Sequence, residues 1–183
     1  MNGNLLSTLW PKSQAIHKAL MVALGVVILT LASKLQVPFW PVPMTLQTLA
    51  VLMIAATAGA RLGVATVLAW LALGAVGVPV FATGAGLAYM AGPTGGYLAG
   101  FLAAAFVVGQ LADRGYGRTL ASALLMLLAG EVVIFALGVG WLAMLIGAQK
   151  AVAGGLVPFL PAEILKVALG ATILIAAWKQ AKG

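Results

Sequence analysis

Two of the chain's three acidic residues, Glu131 and Glu163, lie inside long apolar runs, and so does Lys166. A charge in hydrocarbon costs several kcal/mol, roughly 3 on insertion scales, unless it is paired or wetted, so each is a candidate for function. Glu163 and Lys166 stand at i, i+3, which places them on one face of a helix within reach of each other. Glu163 would accept hydrogen bonds, and Lys166 would offer a cation or donors. The pair reads as a small-molecule site. The same spacing would also suit an internal ion pair, with Lys166 snorkelling outward. Glu131 could bind a ligand, hold a proton or meet a polar group on another helix.

Two uncharged segments bring more polar groups. In Pro41-Val42-Pro43-Met44-Thr45-Leu46-Gln47-Thr48, hydroxyls and an amide reach the mouth of a helix. Thr45 has a plain use there as an N-cap; Gln47 has none and points to a ligand. The stretch from Phe81 to Tyr97 is too glycine-rich for a helix and too long for a tight turn. Its glycines allow close approach of backbone to a ligand, and Thr83, Tyr89, Thr94 and Tyr97 supply hydroxyls and rings. It reads as a binding loop, against the plainer view of a linker with interfacial tyrosines.

Small residues recur at helical spacing in Ala15, Ala19 and Ala23, in Gly59 and Gly63, and in Gly96 and Gly100. Such stripes let helices approach closely, so each is a candidate partner interface. His17, the sole histidine, reads as a solvated interfacial residue. There are no cysteines, no phosphate-binding glycine loop with lysine, and no metal-ligand cluster. That removes disulfides, a resident ATP site and metal chemistry from consideration. Three acids and one histidine are a thin kit for catalysis, and with no ATP site any active transport draws energy from a partner or an ion gradient.

The elements that hold these residues follow from composition. Of 183 residues, 63% are hydrophobic and 7% charged, and the mean hydropathy is +1.14. A soluble domain carries about 25% charged residues; this chain cannot cover a water-facing surface and reads as an all-α integral membrane protein. Residues 1–183 form one bundle of six transmembrane helices, at about Ala15–Lys34, Thr45–Ala60, Leu62–Val80, Gly95–Ala112, Thr119–Ala148 and Pro161–Trp178. The second is short. The fifth runs to about 45 Å at 1.5 Å per residue, longer than a hydrocarbon core, and Gly138 and Gly140 offer a place to bend. Lys12 and Lys18 ahead of Ala19–Ala32 would suit a signal peptide, but the spans that follow favour an uncleaved first helix.

The net charge of +7 needs no nucleic acid to explain it. Six spans put Lys12, Lys18, Arg61, Arg114, Arg118, Lys179 and Lys182 on one side and only Lys34 and Lys150 on the other. The positive-inside rule then places both termini in the cytoplasm. Pro38, Pro41, Pro43, Pro79, Pro93, Pro158 and Pro161 fall at the outer face and Pro11 alone inside. Proline stiffens loops and starts helices, so the outer loops, rich in Pro and Gly, are the shaped ones.

Three segments carry a family resemblance: Val37-Pro38-Phe39-Trp40-Pro41-Val42-Pro43-Met44-Thr45-Leu46-Gln47-Thr48, Leu73-Gly74-Ala75-Val76-Gly77-Val78-Pro79-Val80-Phe81 and Gly92-Pro93-Thr94-Gly95-Gly96-Tyr97-Leu98. They are similar to BioY proteins, the biotin-binding S components of energy-coupling factor transporters. The likeness implies a multi-pass protein of the bacterial cytoplasmic membrane that captures biotin near the outer face. It implies that Ala15, Ala19 and Ala23 dock a transmembrane T component, and that ATP is used only on partner ATPase subunits. The family's acid followed three residues later by lysine carries over to Glu163 and Lys166. Biotin's ureido N–H groups would meet Glu163, and its carbonyl or carboxylate Lys166. Phe39, Trp40, Met44, Leu87 and Tyr97 would wall its apolar parts. The loop holding Thr83 and Tyr89 varies within the family. Rival readings are a stand-alone biotin carrier, an S component for another vitamin, an intramembrane enzyme and a pore. A homo-oligomer is compatible with all of them.

Overall fold

The computed structural model describes residues 4–9 and 15–181; Pro11, Lys12 and Lys182 of the charge and proline counts lie outside them. In chain order the elements are α1 (Leu5–Leu9), α2 (Ala15–Lys34), β1 (Gln36–Val37), β2 (Met44–Thr45), α3 (Gln47–Ala75), α4 (Gly86–Met90), α5 (Gly95–Asp113), α6 (Leu120–Ile146), α7 (Ala148–Gly155) and α8 (Leu160–Gln180). Among the described residues five helices, α2, α3, α5, α6 and α8, are long and apolar enough to cross a membrane. Helices suit such a chain because each satisfies its own backbone groups without water.

The spans expected at Thr45–Ala60 and Leu62–Val80 fall within the one element α3. It is broken at Gly59, where φ is 79° and ψ 179°, a backbone open in practice to glycine alone. The break is a reversal. A Cβ on Gly63 would lie 3.0 Å from the Cα of Ala55, whereas eight residues of straight helix separate two such positions by about 12 Å. The two arms therefore lie side by side. Asp113, at the end of α5, supplies the cap that the second arm lacks. Its Oδ2 accepts from the Ala60 N–H at 3.0 Å, and its Oδ1 accepts from Asn4 Nδ2 at 2.6 Å.

Helix α5 forms the centre, against α3 on one side and α6 on the other. Its glycines make this possible: a Cβ on Gly100 would sit 2.9 Å from the Cα of Ile134 on α6. The Gly96/Gly100 stripe is thus consumed inside the bundle and is not a surface for a partner. Helix α6 starts on a Thr119–Ser122 capping box, close to its expected start. It stays helical through Gly138 and Gly140. Instead of a hinge, Gly138 leaves the space that the Tyr97 ring fills. Helix α2 is the least buried of the five and touches the bundle through Gly25, Leu29, Ala32 and Ser33.

The two ends of the bundle differ. One gathers Asn4, the Gly59 reversal and Asp113. The other gathers the loops. There β1 and β2 pair antiparallel, Gln36 with Thr45 and Val37 with Met44, so the Pro38–Pro43 segment is closed into a hairpin over the start of α3. The stretch expected to be helix-free between Phe81 and Tyr97 contains the short α4 and the first turn of α5.

Candidate functional site

The site begins with two helix starts brought together at the loop end. Pro161 lies in the first turn of α8, where its fixed φ and missing N–H suit a helix start. Glu163 is the acid in that same turn, favoured by the positive end of the helix dipole. Lys166 follows one turn later, and its Nζ donates to Glu163 Oε1 at 2.8 Å. The first turn of α3 brings Thr48, whose Oγ1 donates to Glu163 Oε2 at 2.7 Å. Lys166 Nζ also donates to the Thr45 carbonyl at 2.5 Å and to Thr48 Oγ1 at 3.2 Å.

This network is asymmetric. An ammonium has three donors, and all three of Lys166 are engaged. A carboxylate has about four acceptor positions, and Glu163 uses one on each oxygen. Glu163 therefore keeps room for further N–H donors, while Lys166 has none to give. Both residues are buried, at 5% and 8% exposure, so the pair carries a desolvation cost that good geometry offsets.

Beside Glu163 lies a cavity of about 40 Å³, room for a few waters. It brings together most of the sequence-predicted residues: Thr45, Gln47, Tyr89, Thr94, Tyr97 and Glu163. Lys166 stands behind Glu163 and faces a separate crevice with Gln36 and Met44. Thr83 is exposed and does not line the cavity. Two polar groups are already committed. Thr45 Oγ1 donates to Gln47 Oε1 at 3.0 Å and accepts from the Gln47 N–H at 3.1 Å, but the N-cap of α3 is Leu46, so Thr45 stands one residue ahead of the cap position expected for it. The Tyr97 hydroxyl donates to the Gly155 carbonyl at 2.6 Å, tying α5 to the end of α7, so Tyr97 offers the cavity its ring alone.

The apolar walls differ from those expected. Phe81, Phe101, Phe135 and Phe159 line the cavity with Tyr97. Trp40 and Leu87 point outward, 77% and 70% exposed. Phe39 meets the edge of Phe159 with ring centres 6.0 Å apart, one layer back. The hairpin lays Phe39 on Phe159 and Pro41 against Gly154 of α7, so the rings facing the cavity come instead from α5, α6, the turn before α8 and Phe81. Thr48, which completes the carboxylate network, was visible as a hydroxyl one residue past Gln47. Phe101 and Phe135 had no signal beyond being aromatic within Ala/Leu/Val spans, whereas Phe81 and Phe159 fell in loops between spans.

Glu131 is buried on α6, and neither oxygen makes a hydrogen bond of ordinary geometry. It interacts electrostatically with Glu163 and Lys166 and shares with Glu163 a crevice between α6 and α8, outside the aromatic cavity. Ala15, Ala19 and Ala23 are exposed along α2, as is His17. Ala19 and Ala23 form one wall of a groove whose other wall is Ala69, Ala72, Leu73 and Val76 of α3.

A carboxylate with spare acceptor capacity, aromatic walls and the amino ends of α3, α5 and α8 suit a small amphiphile with N–H donors. Fold and site together define a multi-pass helical membrane protein with a small aromatic-walled cavity near one end of its bundle. The chain belongs to the BioY family, whose family model matches residues 6–183. It is 38% identical over 154 residues to the probable biotin transporter BioY of Pyrococcus horikoshii, covering 84% of this chain and 91% of that one. It is 38% identical over 166 residues to the biotin transporter BioY of Thermotoga maritima, covering 88% and 94%. Among solved structures it is similar to the S-component for biotin from an ECF-type ABC transporter. There the TM-score is 0.71 and the identity 25%, over 90% of this chain and 89% of that one.

Proposed function

We propose that this protein captures biotin at the outer face of the cytoplasmic membrane and carries it inward as the substrate-specific component of an ECF-type transporter. The observation that carries the reading is Glu163: a buried carboxylate on the wall of an aromatic cavity, held in place by Thr48 and Lys166, with acceptor positions to spare. The two ureido N–H groups of biotin are matched donors, and the ring and chain suit phenylalanine walls. Lys166 acts through Glu163, by orienting it. Thr94 and Gln47 are placed to meet the polar remainder of the ligand.

Purified protein in detergent is expected to bind biotin in calorimetry, with no displacement by thiamine or riboflavin. Binding of either of those in place of biotin would overturn the substrate assignment.

The side-by-side arms of α3 support counting it as two spans, which makes six and puts both termini on one side of the membrane. The excess of Lys and Arg at the end bearing Arg61 and Arg114 favours the cytoplasm for that side. The exposed alanines of α2 support docking of a T component, with ATPases bound in turn, because small side chains let a partner helix approach closely. Ala19→Leu with Ala23→Leu is expected to abolish co-purification with T component and ATPases while leaving biotin binding intact. Uptake by the double variant equal to wild type would favour a stand-alone carrier.

A further inference from the structure

The carbonyls of Val80, Phe81 and Ala82 belong to a buried segment with no helix or strand to satisfy them. Buried backbone acceptors need partners, and here each partner is a side chain from the end of α2 or the start of β1. Ser33 Oγ shares its one proton between the Val80 carbonyl at 2.7 Å and the Thr30 carbonyl at 2.6 Å. Lys34 Nζ donates to the Phe81 carbonyl. Gln36 Nε2 donates to the Ala82 carbonyl at 3.2 Å. Three donors within four residues thus hold three consecutive carbonyls.

The held segment is a wall of the cavity. Phe81 and Ala82 line it, whereas Ser33, Lys34 and Gln36 do not. The Phe81 ring stacks on Tyr89, also a lining residue, with centres 5.1 Å apart and planes 18° from parallel. Its other side meets the edge of Trp70 at 4.9 Å. Backbone and ring are therefore anchored separately, the backbone by α2 and β1 and the ring by Trp70 of α3 and Tyr89 of α4. With the segment in place the cavity is about 40 Å³. A bicyclic ligand passes such a rim only when the rim moves.

We infer that Ser33, Lys34 and Gln36 are positioning residues that clasp the 80–82 backbone over the cavity and thereby set how fast ligand enters and leaves. The inference rests on the reading of this cavity as the biotin site. Lys34, which sequence alone marks as an orientation charge, has the strongest donor of the three.

The test pairs two measurements on Lys34→Met, with Lys34→Arg as the conservative control. Hydrogen exchange of the ligand-free protein reads the clasp, and stopped-flow biotin binding reads its consequence. In Lys34→Met, amides of residues 80–90 are expected to exchange faster while the rest of the chain is unchanged. The association and dissociation rates for biotin should both rise, on the order of tenfold, as expected where a lid limits exchange of ligand. Lys34→Arg should stay near wild type in both. General loss of structure would lower the active fraction without raising an association rate. Unchanged exchange in Lys34→Met would overturn the clasp. Faster exchange with a wild-type association rate would overturn the gating role. A wild type that exchanges as expected but binds no biotin would sink the biotin reading and the gating role with it, leaving the clasp standing.

Discussion

Glu163→Ala is expected to weaken biotin binding by at least about a hundredfold, which is roughly 2.7 kcal/mol. Hydrogen bonds to a charged acceptor contribute about 1.5–3 kcal/mol each, and biotin brings two N–H donors to this one carboxylate. The loss should follow charge and reach. Glu163→Gln keeps the shape but turns part of the acceptor into a donor, so it should bind poorly too. Glu163→Asp, one methylene shorter, should retain part of the affinity. Calorimetry at equal folded fraction, checked by thermal unfolding without ligand, separates lost contacts from lost structure. Binding of Glu163→Ala within about threefold of wild type would remove Glu163 from the site.

Lys166→Met is expected to destabilise the protein by about 3–5 kcal/mol, because it strands a buried carboxylate. For a chain of this length that corresponds to a fall of very roughly 6–20 °C in Tm. The double change Glu163→Leu with Lys166→Met should recover most of that stability, since replacing both buried charges removes the desolvation cost along with the attraction. It should not recover biotin binding. Thermal unfolding in one detergent, without ligand, reads this pattern. A double variant no more stable than Lys166→Met would mean the pair is not the source of the penalty. Biotin binding by the double variant would mean that neither charge serves the ligand.

These expectations divide the work of the pair in a way that i, i+3 spacing alone did not. Spacing put Glu163 and Lys166 on one helix face, and they are 2.8 Å apart. It did not say which of the two would meet a ligand. That depended on Thr45 of β2 and Thr48 of α3 taking up the Lys166 donors from behind. The second and third expected spans show a similar division. Their apolar lengths and the glycine and arginine between them were plain in the sequence. That the chain doubles back at Gly59, with Asp113 from α5 capping the far arm, came from contacts 53 residues distant.

By itself the sequence determined that this chain lives in a membrane as a helical bundle, about where its long helices run, and that an acid and a lysine share a face near one end. These are local matters: composition sets the solvent, and helical period sets which neighbours align. Only the tertiary structure decided which rings line the cavity, that Tyr97 lends its hydroxyl to Gly155, that Thr83 and Trp40 stand outside, and that α2 and β1 hold the 80–82 backbone. The physical reason is a lack of contrast. In a chain that is 63% hydrophobic, lipid-facing and core-facing positions carry the same residue types. Hydropathy therefore cannot tell inward from outward, and close packing at glycines together with hydrogen bonds between distant segments makes that choice.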